Sequence, residues 1–410
     1  MSTEIKNLKR EVPWSGVGAI YTDAEIALIT EIMRNTRDTF TQGKYQQEFE
    51  SEFCRYGGNE FAFAVSSCTA ALELAALLAR LGPGDEVIMP AHTFCATAIP
   101  FARTGARIVW ADIDPETWVV TNKTLEAKIT SKTKCIVVVH LYGLAADMQP
   151  IIELARRHDI LVVEDCAQAL GAESGGKKVG SWGDFGCFSF HTHKNITTLG
   201  EGGILTLQDS ELAKLVPGLR HNGCRAYPEP REKYWVPAMG NVDFDLDRVW
   251  PYNFCIGEPQ CALGAMLLKR IDALIEKRVA RASQFIEAVK GYPELIFQKV
   301  PKGQISSRHL LPARYDGKIT GKSNNDFIEI MYKEYNIKII VQYYPLYRYP
   351  LFQKSGFGEA DCPATDYFYD NMVSFPFHSW MPDEEFYYML ESAVKTLKKL
   401  RNREAVCDPA

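Results

Sequence analysis

The stretch FSFHTHKNITTLGEGG, residues 188–203, sets Lys194 between an aromatic, β-branched run and a glycine-rich turn. A lysine at a strand end is ordinarily a surface residue, but one held out of water there is an amine that can make a covalent bond. Three other stretches carry groups of matching chemistry. SSCTAAL (66–72) places Ser66, Ser67 and Thr69 at a strand-to-helix junction. Hydroxyls and free backbone N–H groups at such a place suit a phosphate, although Ser and Thr cap helices without any ligand. PAHTFCATA (90–98) offers Phe94 at a strand end, as a flat surface for stacking or as core. ILVVEDCAQA (160–169) sets Glu164 and Asp165 after four apolar residues. A carboxylate buried there needs a cationic partner, unless it caps a helix or faces water.

Four such elements on one sheet edge make a set: a phosphate nest, a stacking ring, a buried carboxylate and a reactive amine. Pyridoxal phosphate uses one of them for each of its parts. Two competing readings of the lysine stretch are weaker. His191 and His193 lie on one strand face and suit zinc, but no third ligand is near them in sequence, and a zinc site needs three or four. GEGG (200–203) has the spacing of neither nucleotide-loop fingerprint and reads instead as a tight backbone turn.

The elements that position these residues follow from periodicity. Thr22-Asp-Ala-Glu25 before IALITEIM predicts a capped first helix. FAFAVSS, EVIMP, ARIVWADI, KCIVVVHLYG, ILVVED, CFSFH and GILTL are short strand-like runs, with a helix predicted over 69–82 and a helical or loop segment over 148–159. Near-continuous apolar strands alternating with helices predict an α/β fold with a mainly parallel seven-stranded sheet covered on both faces. In such sheets ligands gather at the carboxyl ends of the strands. From about Ile256 to Val289 one long helix is predicted, then a helix near NNDFIEIMYKEYN, a strand IKIIVQYYP and a terminal helix. The predicted division is therefore 1–255, an N-terminal arm with a large cofactor-binding domain, and 256–410, a linking helix with a small α+β domain. Residues 225–252 read as a long loop, of a length that is usually functional.

The 410 residues are 46% hydrophobic, with 46 Lys and Arg against 51 Asp and Glu, a net charge of -5. That balance argues against a nucleic-acid partner, and no run is long and apolar enough for a membrane span. The polar N-terminus has no signal-peptide core, and eleven scattered cysteines without a C-x-x-C pair read as reduced thiols, so a cytoplasmic protein is expected.

FTQGKYQQEFESEF, SSCTAALELA, PAHTFCATA, ADIDPETW, HLYGLAADM, VEDCAQALGA, GDFGCFSFHTHKNITTLGEGG, NFCIGEPQCALG and VQYYPLYRYPLF, in this order, resemble the DegT/DnrJ/StrS sugar aminotransferases, pyridoxal-phosphate enzymes of fold type I. The resemblance implies an aspartate-aminotransferase-like large domain in which Lys194 carries the cofactor as a Schiff base and Asp165 pairs with its ring nitrogen. It implies that Phe94 stacks on the ring and Gln168 lies near the ring hydroxyl. Ser67, Cys68, Thr69 and Ser189 would surround the phosphate. Asn253 would reach the phosphate of a neighbouring subunit, which makes the expected assembly a homodimer with shared active sites. The implied reaction moves an amino group from an amino acid, L-glutamate, to a keto-sugar, a nucleotide-linked 4-keto-6-deoxyhexose. Alternatives are a sugar-phosphate or keto-cyclitol acceptor, a cofactor-dependent sugar dehydratase, or a non-catalytic protein that keeps the pocket. Cys68, Cys255 and His193 depart from the residues usual in that family, which bears on the substrate more than on the cofactor.

Overall fold

The computed structural model describes residues 11–14, 21–35, 37–224, 246 and 249–402. Its largest sheet contains β1 (Phe61–Val65), β2 (Glu86–Pro90), β3 (Arg107–Ala111), β4 (Thr133–Val139), β5 (Leu161–Asp165), β6 (Phe185–Ser189) and β7 (Gly203–Leu207). They lie in the order β1-β7-β6-β5-β4-β2-β3. The pairs from β3 through β6 are parallel, whereas β7 is antiparallel to both β6 and β1. Every residue of β2 and of β7 is buried, as strands covered on both faces should be. The reversal of β7 has a direct consequence for the carboxyl edge. Gly203, the first residue of β7, lies there between Val65 and Ser189, the last residues of β1 and β6.

The capping box at Thr22 forms: Thr22 N–H donates to Glu25 Oε2 at 2.7 Å and Glu25 N–H to Thr22 Oγ1 at 3.4 Å. The helix after β1 runs Cys68–Leu78, capped by Ser67, whose Oγ accepts from Ala70 N–H at 3.1 Å. It stops four residues before the predicted Gly82, and Arg80 beyond it has a left-handed φ of 50°.

The predicted helix over 256–289 is two helices, Glu258–Leu268 and Ile271–Val289. Arg270 leaves helical geometry at φ -116°, ψ 10°, and its guanidinium is held by Glu25 at 2.8 Å. Glu258–Leu268 packs against Lys44–Gly57, where Gly264 faces the Phe49 ring so closely that a Cβ would stand 2.6 Å from it. A second sheet of Leu295–Phe297, Leu311–Tyr315 and Met372–Phe375 is antiparallel and packs with helices Asn324–Tyr335 and Asp383–Asn402. The predicted strand IKIIVQYYP does not form; only isolated pairings exist, Ile337 with Val12 and Ile340 with Ser374. Gln342 N–H is directed to the Met372 sulfur instead of a ladder carbonyl, and the tyrosines that follow enter the cleft. Ten cysteines lie among the described residues and all are free thiols. No helix among these residues is long and apolar enough to cross a membrane.

Candidate active site

Strand alternation separates the two adjacent carboxylates at the end of β5. Glu164 is fully buried and accepts four hydrogen bonds. Three come from Gly180, Trp182 and Gly183 N–H, each at 2.8 Å, and one from His140 Nε2 at 2.9 Å. His140 Nδ1 accepts from Ala146 N–H at 3.1 Å, which fixes the neutral tautomer that donates through Nε2. Glu164 therefore staples the loop before β6. Its grouping with His140 and Cys166 has the spacing of a metal site, but its oxygens are already engaged by protein donors.

Asp165 faces the other way. Its Oδ2 accepts from Thr97 Oγ1 at 2.7 Å and its Oδ1 from Ala167 N–H at 3.0 Å. Thr93 Oγ1 stands 2.8 Å behind Thr97 Oγ1, so two hydroxyls brace a carboxylate that has no cation hydrogen-bonded to it among the described residues.

Lys194 occupies a turn in which its own N–H donates to His191 carbonyl at 2.9 Å. Burial pushes its amine below the ordinary lysine value, opposed by the nearby Cys68, Asp165 and Glu201. Lys194 follows the end of β6 at the carboxyl edge where the parallel neighbour β5 ends in Asp165. Burial likewise raises the Cys68 thiol, with Asp165 and Cys187 adding to the effect, so Cys68 is a neutral thiol.

The Ser67–Cys68 turn meets β7 at Gly203. A Cβ on Gly203 would lie 2.4 Å from the Ser67 carbonyl carbon and 2.6 Å from Cys68 N, so only glycine lets the strand approach so closely. This is the role of the last glycine of GEGG. Ser189, paired with Gly203, ends β6 beside the same turn, and its Oγ accepts from His191 N–H at 3.4 Å.

Phe94 is 56% exposed, which sets aside the core reading and leaves a ring standing free at the carboxyl edge. Tyr343 meets it edge-on at 6.1 Å and stacks on Tyr142 at 6.1 Å and 15°. Gln168 is buried, with Oε1 accepting from Tyr142 N–H at 3.0 Å. Asn253 stands apart from this cluster. It is exposed, bridged to His221, and its Oδ1 lies 3.5 Å from Cys255 N. The neighbouring Phe254 carbonyl accepts from Ser66 N–H at 2.8 Å, which ties that surface to the Ser67 turn. Most of the 225–252 loop lies outside the described residues.

Thr97, Tyr343 and His309 were not legible as site residues. Thr97 lies three positions after Phe94, one turn of a 3-10 helix (Cys95–Thr97), and that spacing was the available signal. His309 stands two residues before the strand Leu311–Tyr315 of the second sheet, donating through Nε2 to His193 carbonyl at 3.1 Å.

The arrangement fits pyridoxal phosphate in its chemistry. A half-buried lysine whose amine is pushed below its ordinary value, a braced carboxylate, an exposed aromatic ring and a glycine-cradled helix start sit on one edge. Comparison with known proteins agrees. Residues 20–393 match the DegT/DnrJ/EryC1/StrS aminotransferase family model. The spore coat polysaccharide biosynthesis protein SpsC of Bacillus subtilis is 35% identical over 377 residues, 92% of this chain and 94% of that protein. GDP-perosamine synthase of Caulobacter vibrioides is 42% identical over 236 residues, 58% of this chain and 59% of the relative. Among solved structures, Spr1654 of Streptococcus pneumoniae in its PMP form superposes with a TM-score of 0.82 at 28% identity, covering 94% of this chain and 99% of the other.

Proposed function

Because this chain belongs to the DegT/DnrJ/EryC1/StrS aminotransferase family, we propose that it moves an amino group from L-glutamate to a nucleotide-linked 4-keto-6-deoxyhexose. The enzyme is a pyridoxal-phosphate-dependent transaminase of the sugar aminotransferase group. The observation that carries the site assignment is the placing of Lys194, just after β6, and of a braced Asp165, at the end of β5, on the same sheet edge.

Lys194 is the group that would hold the cofactor covalently. Asp165 would hold a proton on its ring nitrogen, and Thr97 keeps that carboxylate aimed. Phe94 would cover one ring face and Gln168 would lie near the ring hydroxyl. The turn Ser67-Cys68-Thr69, with Ser189 beside it, would receive the phosphate at a helix start. Bound there, pyridoxal phosphate supplies an electron-accepting ring that makes a substrate α-proton acidic. The Lys194 amine would take that proton as general base and return it as general acid two atoms along, which completes a 1,3-shift. Tyr343 and Tyr142 wall the cleft and exclude water from the proton's path. Asn253, on the surface next to the phosphate turn, suits contact with a second protomer's phosphate, and the working assembly on this reading is a homodimer.

A base must be neutral to act, and burial lowers the Lys194 pKa. The rate of amino transfer from L-glutamate is therefore expected to rise with pH along a limb below the ordinary lysine value of about 10.4. Stopped-flow absorbance across pH reads the limb directly; one in the ordinary lysine range would contradict the role.

The acceptor reading rests on the family and on a relative whose name carries a GDP-linked sugar. Its test follows the cofactor band after L-glutamate has bleached it. Addition of a GDP- or UDP-linked 4-keto-6-deoxyhexose is expected to restore the band. If only a sugar phosphate or a keto-cyclitol restores it, the nucleotide-linked acceptor is wrong.

A further inference from the structure

Residues 306–309 cross from the small domain to the lysine turn and grip it on both sides. His309 Nε2 donates to His193 carbonyl at 3.1 Å, and Ser307 carbonyl accepts from Asn195 Nδ2 at 3.4 Å. Arg308 lies between these two contacts. On its other flank Ser307 N–H donates to Gly143 carbonyl at 2.8 Å, and a Cβ on Gly143 would stand 2.7 Å from Arg308 N.

The backbone of Arg308 is strained, with φ 47°, and strain of this kind persists only where surrounding structure enforces it. The enforcement is visible. The buried guanidinium of Arg278 donates to Arg308 carbonyl at 2.7 Å, to His309 carbonyl, to Phe377 carbonyl at 3.3 Å and to Ser379 Oγ at 3.0 Å. Burial, with Arg281 adding to it, pushes Arg278 down to about 9, and no carboxylate among the described residues neutralises it. A second costly cation is thus used to hold the Arg308 peptide in place.

The Arg308 side chain is half-buried, and no hydrogen bond or ion pair engages its guanidinium among the described residues. Burial lowers its pKa, and the two contacts that flank it, His309 to His193 carbonyl and Asn195 to Ser307 carbonyl, set the residue beside the lysine turn. A guanidinium withdrawn from water without an acid is a fork awaiting an oxyanion.

We propose that Arg308 is a specificity-determining residue that anchors a substrate oxyanion at a distance from the reacting carbon. The inference rests on the transaminase reading above. Two substrates carry such a group: the distal carboxylate of a dicarboxylic amino donor, or a phosphate of the sugar acceptor. Neither would touch the bond-making atoms, so removal of Arg308 should change binding rather than the proton transfer.

The test uses pyridoxal-phosphate-loaded full-length enzyme and the variants Arg308→Met and Arg308→Lys. Single-turnover bleaching by L-glutamate and by L-glutamine gives rate and half-saturation separately. Inhibition of that bleaching by UDP and GDP probes the phosphate source. If the distal carboxylate is held, the half-saturation for L-glutamate rises on the order of tenfold or more in Arg308→Met, that for L-glutamine stays put, and the limiting rate is preserved. If a phosphate is held, the nucleotide inhibition constants rise by a similar factor instead. Arg308→Lys should recover part of either effect, as a retained charge requires. Unmoved half-saturation and inhibition constants, a loss confined to the limiting rate, or a changed oligomeric state with unmoved constants would each overturn the proposal. Failure of wild-type enzyme to bleach with any amino donor would instead strike the transaminase reading.

Discussion

Lys194→Ala is expected to lower amino transfer from L-glutamate by a factor on the order of 10⁴, the upper range for loss of a positioned general base. The variant loses the covalent attachment as well, so its absorbance with pyridoxal phosphate should be that of the free aldehyde. Its fold should persist. The Lys194 amine is destabilised by burial in the native protein, so its removal relieves a cost while the turn keeps its His191 carbonyl bond. Single-turnover absorbance and thermal melting check the two halves. A variant that retains more than a tenth of the wild-type rate would remove Lys194 from the mechanism.

The second large effect separates two neighbours in sequence. Asp165→Asn keeps the shape of the side chain and an acceptor for Thr97, but not the charge that holds a proton on a ring nitrogen. Amino transfer should fall roughly 10² to 10³-fold, the range for losing one preorganised electrostatic group, with stability changed by about 1 kcal/mol or less. Glu164→Ala should do the reverse. It orphans the buried donors of His140, Gly180, Trp182 and Gly183, and a destabilisation of about 3–5 kcal/mol is expected. Guanidinium denaturation and single-turnover kinetics on both variants check the contrast. If the stability loss belonged to Asp165 and the kinetic loss to Glu164, the assignment of faces would be reversed.

That contrast also marks what was legible in sequence. The apolar run ILVV announced a buried strand and an acid at its end, but either carboxylate could have served. Only the folded loop at Gly180–Gly183 and the hydroxyl of Thr97 divide their roles. The seven strand-like runs all became strands, because each is short, apolar and bounded by turns. The break between the helices near Arg270 carries no Gly or Pro, and the feature the fold adds there is an ion pair from Arg270 to the sequence-distant Glu25. Tyr343 was hidden inside a run that reads as a strand and is instead turned into the cleft. Asn253 matched a motif, yet among the described residues it is an exposed residue outside the Lys194 cluster, and the role proposed for it would require a second copy.

The central claim is that Lys194 bears the cofactor, and chemical mapping tests it without reliance on turnover. Enzyme loaded with pyridoxal phosphate would be reduced with borohydride, digested and sequenced by mass spectrometry. The account predicts a phosphopyridoxyl mass on the peptide containing Lys194 and its absence after prior exposure to L-glutamate. A stable label on a different lysine, or folded protein that takes no label, would contradict it.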